Sequence, residues 1–259
     1  MKHLFLLLFL IVSAYAKVIS VAYLPQCPYT CDTKSNEKGF VLDMLTEAFK
    51  KAGYDLEFIQ LESNKQGLAE LKEGKFDLLV YLGPGKPEGF VYMKKPLGYT
   101  SNVMAVQKYS KWRYDSPSSL KKIRLATRSE LVYGDDELYN YVKKYKYDPK
   151  RVEMRSGHLA QKQNLKRLRF EKVDALIDDR IALRYFYFKS KKPFGFKIAH
   201  TSPSNPIEIA FSPKSYRSKK YAELLYKNLK KLRKSPSLKK ILKNYGLSET
   251  YIAALPASH

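Results

Sequence analysis

The sequence has 259 residues, with 48 Lys and Arg against 25 Asp and Glu, and a formal net charge of +23. That length holds one large or two modest domains with ample core. The basic residues are scattered through every segment, which fits a solvated basic surface with affinity for anionic envelope surfaces or anionic ligands better than a discrete nucleic-acid groove.

Residues Met1 to Ala16 read as a secretory leader: Lys2 and His3 give a thin basic start, Leu4 to Val12 an apolar run too short to span a bilayer, and Ala14-Tyr15-Ala16 a small-x-small cleavage site. The mature chain is expected to begin near Lys17. The first cysteine is Cys27, too far on for a lipid anchor, so a free periplasmic product without a membrane span is expected. An exported chain seldom meets nucleic acid, so none is expected as a partner.

Strands are predicted over residues 18–23, 56–61, 76–81, 103–107, 123–127, 173–177 and 207–212. After the first comes the loop PQCPYTCDTKSNEKG, which holds both cysteines, Cys27 and Cys31. Two close cysteines in an exported chain read first as a disulfide pinning a short loop. A redox pair lacks the two-residue spacing, and a metal site lacks further ligands, with no His nearby. Val41, Leu45, Ala48 and Ala52, with Met44 and Phe49 beside them, form the apolar stripe of a helix that Gly53 stops. The segment GPGKPEG looks like a phosphate loop, but Lys86 is followed by Pro87 rather than Ser or Thr, which argues against a nucleotide site.

The second half repeats this grammar with KKIRLAT, a loop and helix after Arg128, RVEMRSG, a helix through LKRLRFEK, and VDALIDD. Near the end, Tyr221, Leu224, Leu225, Leu229 and Leu232, then Leu238, Ile241, Leu242 and Tyr245, mark two helices with basic backs; they read as core-facing rather than membrane-lying. Strands alternating with helices imply a two-lobe α/β fold, each lobe a mostly parallel sheet flanked by helices. The lobes are expected over 17–105 and 106–206, with 207–259 returning to the first. The strands around Val103 and Ile207 are the natural crossings, and Pro203 and Pro206 make the junction a hinge rather than a tether.

In their order and spacing, GFVLDMLTEAFKKAGY, EGKFDLLV, KKPLGYTSNVMAVQK, SLKKIRLAT, FEKVDALIDD and LKKILKNYG make the chain similar to the type II periplasmic solute-binding proteins of family 3, the receptor subunits of polar amino acid ABC importers. The resemblance spans nearly all of the mature chain. It implies a solute held between the lobes by an aromatic of lobe 1, an Arg after the third strand, amide donors at a helix start in lobe 2, and an acid after the VDA strand. Tyr29 falls at the aromatic position, and Asp179 at the acid position with Asp178 beside it. Thr127, Arg128 and Ser129 occupy the lobe 2 loop, where a helix start would favour an anion. Tyr81, Tyr99, Ser101 and Asn102 complete the expected cleft.

The sequence departs from the family where the carboxylate-binding Arg belongs. Between Tyr81 and Pro96 there is only Lys86 and the pair Lys94-Lys95, and Met93-Lys94 replaces the usual Phe-Ser. Arg and Lys are not equivalent for bidentate capture. Either Lys86 or Arg128 takes over, or the ligand is not a free α-amino acid. Two site residues also have plainer readings: Tyr29 packing beside the disulfide, and Asp179 capping a helix that starts at Arg180.

The expectation is a monomeric binding protein that captures a small polar solute for an ABC permease, with no cofactor, no metal and no catalysis. After the leader only His158 and His200 remain, and no G-x-S-x-G appears. Two alternatives stay open: a dehydratase-like enzyme using Asp178 and Asp179, or a ligand-sensing module for a membrane signalling partner.

Overall fold

A computed structural model describes residues 17–32, 35–83, 85–157, 159–193 and 195–248. The expected leader lies outside them. The first sheet is built from β1 (Lys17–Tyr23), β2 (Tyr54–Gln60), β3 (Leu78–Tyr81), β4 (Val91–Tyr92) and β5 (Gly98–Thr100), around helices α1 (Phe40–Lys50) and α2 (Asn64–Glu73). The second holds β6 (Asn102–Gln107), β7 (Leu125–Arg128), β8 (Val152–Arg155), β9 (Ala175–Asp179) and β10 (Phe196–Thr201), with α3 (Asp136–Tyr145), α4 (Ala160–Arg169) and α5 (Arg180–Ser190). The chain then returns through β11 (Asn205–Phe211) to the first sheet and ends in α6 (Ser218–Arg233) and α7 (Pro236–Asn244).

The strand orders are β2-β1-β3-β11-β4, with β5 also on β11, and β10-β6-β9-β7-β8. In each sheet three strands linked by helical crossovers are parallel, β2-β1-β3 and β9-β7-β8. The strands that arrive from or leave for the other lobe, β11 and β6, run antiparallel to them, so both sheets are mixed. The chain passes between sheets at Ser101 and again over 202–204. Both passages are fixed by main-chain bonds, Arg180 N–H to the Ser101 carbonyl at 3.0 Å and Ser202 N–H to the Asn102 carbonyl at 2.9 Å.

Side-chain alternation sorts each strand between two cores. Ile19, Val21, Leu78, Val80, Ile209 and Phe211 face α1, α6 and α7. Ala22, Leu79, Tyr81 and Ala210 face the α2 side. In the second sheet Met104, Val106, Leu125 and Ile177 pack with α3, while Val103, Ala105, Ala126 and Leu176 pack with α4 and α5. The apolar stripe of α1 buries Val41, Leu45 and Ala48 as the spacing predicts, though the helix closes at Lys50, ahead of the turn at Gly53. Four strands lie outside the predicted ranges, β8 being marked only by the segment RVEMRSG. β4 and β5 are too short to show a period, and β10 is an edge strand whose Ile198 is exposed. Among the described residues no helix is long and apolar enough to cross a membrane.

Candidate functional site

From β1 the chain goes to β2 on one side and β3 on the other; from β7 it goes to β8 on one side and β9 on the other. At such a reversal the loops leaving the carboxyl ends of neighbouring strands diverge and open a crevice. Those ends carry Tyr23 and Tyr81 in the first sheet, and Arg128 and Asp179 in the second. Both interlobe passages leave from the same edges, so the two crevices face each other.

Tyr29 reaches across. It sits in the loop between β1 and α1, where Gly39 lets the chain approach closely: φ is 102°, and a Cβ at Gly39 would stand 2.3 Å from the Tyr29 carbonyl oxygen. Cys27 and Cys31 are joined in this loop. The Tyr29 hydroxyl lies 2.9 Å from each Asp179 carboxylate oxygen. Thr100 Oγ1 donates to the same carboxylate, and the Ala182 N–H reaches Oδ1 at 2.7 Å, so Asp179 caps α5. Burial pushes the Asp179 carboxyl up against the pull of those three donors, and pushes the Tyr29 phenol up, with the Asp179 charge adding to it.

Its neighbour Asp178 points to the other side of the sheet and is fully buried. Asp178 Oδ1 accepts Arg128 Nε at 2.9 Å, Arg128 Nη2 at 2.5 Å and the Asp179 N–H at 2.8 Å, while Oδ2 accepts Gln161 Nε2 at 3.0 Å. This fixes the guanidinium, whose side chain keeps 22% exposure. Burial opposes the Arg128 charge, and Asp178 more than offsets it, raising the pKa. Gln161 was not foreseen: it lies 17 residues before Asp178 on a different element, with no local signal tying the two together.

The Thr127–Ser129 segment differs from expectation. Thr127 and Arg128 complete β7, and Ser129 N–H extends the ladder to the Arg155 carbonyl at 2.9 Å. α3 begins only at Asp136, capped by Asp135, and its first turn carries Asp136 and Glu137. No helix-start amides stand at 127–129, and the acidic first turn of α3 disfavours an anion there. Thr127 instead meets the Tyr133 hydroxyl at 2.6 Å, and Ser129 donates to Glu130 at 2.7 Å.

On the lobe 1 side, Lys86 Nζ rests 4.4 Å from the centre of the Tyr92 ring. Tyr81 is buried, and Tyr99 is exposed on β5 opposite Pro206. The Ser101 and Asn102 carbonyls fix the passages, and Asn102 Oδ1 accepts the Gly134 N–H at 3.3 Å. Glu208 was not foreseen. It stands opposite Tyr81 in β11, is only 4% exposed, and its Oε2 has no hydrogen-bond partner among the described residues. A lone acid inside the strand PIEIAF was the available signal.

A profile of the bacterial extracellular solute-binding proteins, family 3, matches residues 17–248. No curated protein matches the sequence. Solved structures share the fold at low identity. Substrate binding domain 2 of GlnP from Lactococcus lactis, in open conformation, is 16% identical, covers 88% of this chain and 95% of its own, and has a TM-score of 0.62. The GluR0 ligand-binding core from Nostoc punctiforme, in complex with L-glutamate, is 17% identical over 88% and 98%, with a TM-score of 0.61. A mutant of ArgBP from T. maritima is 19% identical over 88% and 95%, with a TM-score of 0.60.

Proposed function

We propose that this chain, which belongs to the bacterial extracellular solute-binding proteins of family 3, is exported, takes a small polar solute of the amino-acid type between its two sheets, and hands it to an ABC permease. Among the chains of similar fold, one is a substrate binding domain and another is a probable amino-acid ABC transporter extracellular-binding protein from Bacillus subtilis, which supports that reading. The observation that carries the reading is Arg128. Its Nε and one Nη2 position are held by Asp178, which fixes the plane of the guanidinium at the carboxyl edge of β7 while Nη1 has no partner among the described residues. A planar donor held in this way is suited to a carboxylate, and it supplies the guanidinium that the β3–β4 loop, which carries only Lys86, lacks.

Binding and closure are one equilibrium in this reading. A solute that touches both lobes favours the closed arrangement by its differential contacts, and the Tyr29–Asp179 contact adds to the same arrangement. Calorimetric titration of the purified protein against the common amino acids and their decarboxylated and deaminated analogues tests it. The expected result is tighter binding of an amino acid than of its decarboxylated analogue, with the amino acid weakened about tenfold or more by Arg128→Gln, the scale of a lost charged hydrogen bond. Equal affinity in that variant would remove Arg128 from the site.

A further inference from the structure

We infer that Glu208 is the amine-recognising group of this cleft, so that a zwitterionic or cationic solute lies with its ammonium toward β11 in the first lobe and its carboxylate toward Arg128 in the second. The inference rests on the reading that the facing strand edges are the binding site.

Three acids are buried among the described residues: Asp178, Asp179 and Glu208. The first two have their acceptors engaged. Asp178 takes Arg128, Gln161 and a main-chain N–H; Asp179 takes Tyr29, Thr100 and the Ala182 N–H. Glu208 is different. Ile207 and Ile209 on either side are fully buried, and the register opposite Tyr81 places Glu208 at the carboxyl end of β3, on the edge that faces the second lobe.

A buried carboxylate oxygen without a donor is unfavourable to keep, so the site is incomplete as a self-contained structure. The titratable groups acting on it are Lys86 from the β3–β4 loop and Tyr92 from β4, with Tyr81 beside it on β3. Lys86 lowers the Glu208 pKa through its charge but forms no ion pair with it; its ammonium lies over the Tyr92 ring instead. The Tyr92 hydroxyl is also spent, donating to the Pro87 carbonyl at 2.6 Å. No donor among the described residues reaches Glu208 Oε2, and the ammonium or guanidinium of a solute supplies both the hydrogen and the counter-charge.

The test titrates the full chain with three probes of similar length: L-ornithine, which has amines and a carboxylate, putrescine, which has amines only, and glutarate, which has carboxylates only. Glu208→Gln keeps the shape and removes the charge. It is expected to weaken ornithine and putrescine about tenfold or more and leave glutarate unchanged or tighter. Arg128→Gln is expected to weaken ornithine and glutarate and spare putrescine. If Glu208→Gln leaves ornithine and putrescine untouched while Arg128→Gln still weakens ornithine, the amine assignment is wrong and the cleft reading stands. If the wild type binds and neither variant changes any probe, the cleft reading itself fails. Absence of binding by both amine probes to the wild type also overturns the assignment. Matching circular dichroism spectra of the variants confirm that folding is intact.

Discussion

The Tyr29 hydroxyl and the Asp179 carboxylate lie 150 residues apart in sequence and 2.9 Å apart in space, and they join a loop of one lobe to a strand end of the other. Tyr29→Phe removes this donor and leaves Thr100 and Ala182 on the acid. The expected loss is about 1.5–3 kcal/mol of unfolding free energy, the range for a hydrogen bond to a charged group. Urea titration of both proteins reads it directly; coincident curves would mean that the contact contributes nothing.

Arg128→Ala should be costlier. It leaves Asp178 fully buried with Gln161 and a main-chain N–H but no cation. Breaking such a pair from one side costs about 3–5 kcal/mol. The double variant Arg128→Ala with Asp178→Asn is expected to recover part of the loss, since the uncompensated charge is then gone. A double-mutant cycle by chemical denaturation measures the coupling.

Burial raises the Glu208 pKa above its ordinary value of 4.5, against the opposing charge of Lys86. The folded form therefore holds the proton more tightly than the unfolded chain. The stability this group contributes is present below that ordinary value and is lost as pH rises through the folded pKa. Glu208→Gln cannot titrate. Its melting temperature minus that of wild type is expected to grow from acid toward neutral pH, then level off. A flat difference between pH 4 and 8 would contradict the raised pKa. Asp179 shifts in the same direction, but both proteins carry it, so it cancels in the difference.

Gly39→Ala is expected to destabilise by about 2 kcal/mol or more, because φ is 102° and the new methyl carbon would stand 2.3 Å from the Tyr29 carbonyl oxygen. The same substitution at Gly85, where φ is 68° and nothing stands within 4 Å of the new carbon, carries backbone strain without the clash. Comparing the two melting temperatures separates strain from crowding.

Much of the fold was legible because its long elements carry strong periods. The β2 strand alternates along most of its length, α1 and α6 carry unbroken apolar stripes, and the strand over 173–177 appears as β9 (Ala175–Asp179). The site was legible only as a neighbourhood. Adjacent acids in a strand point to opposite faces, so Asp178 and Asp179 had to meet different partners, yet nothing local names Arg128, Gln161 or Tyr29 as those partners. The Thr127–Ser129 segment resembled a helix start because a helix does follow; β7 instead runs on through Arg128, and a loop intervenes before Asp136. Glu208 escaped because its environment is assembled across strands β3, β4 and β11, which are brought together only by the return from the second lobe.

The chain passes between its sheets twice, at Ser101 and over 202–204, and the segments flanking the passages pair with each other: Thr100 opposite Asn205 on one side, Val103 opposite Thr201 on the other. Two parallel straps anchored at both ends resist shear and lateral swing far more than they resist folding about the line that joins them. Such a joint has the mechanics of a door rather than a ball and socket. In the proposed function, occupancy of the cleft is encoded in a single angle, which a permease reads by touching both lobes without sensing the solute itself.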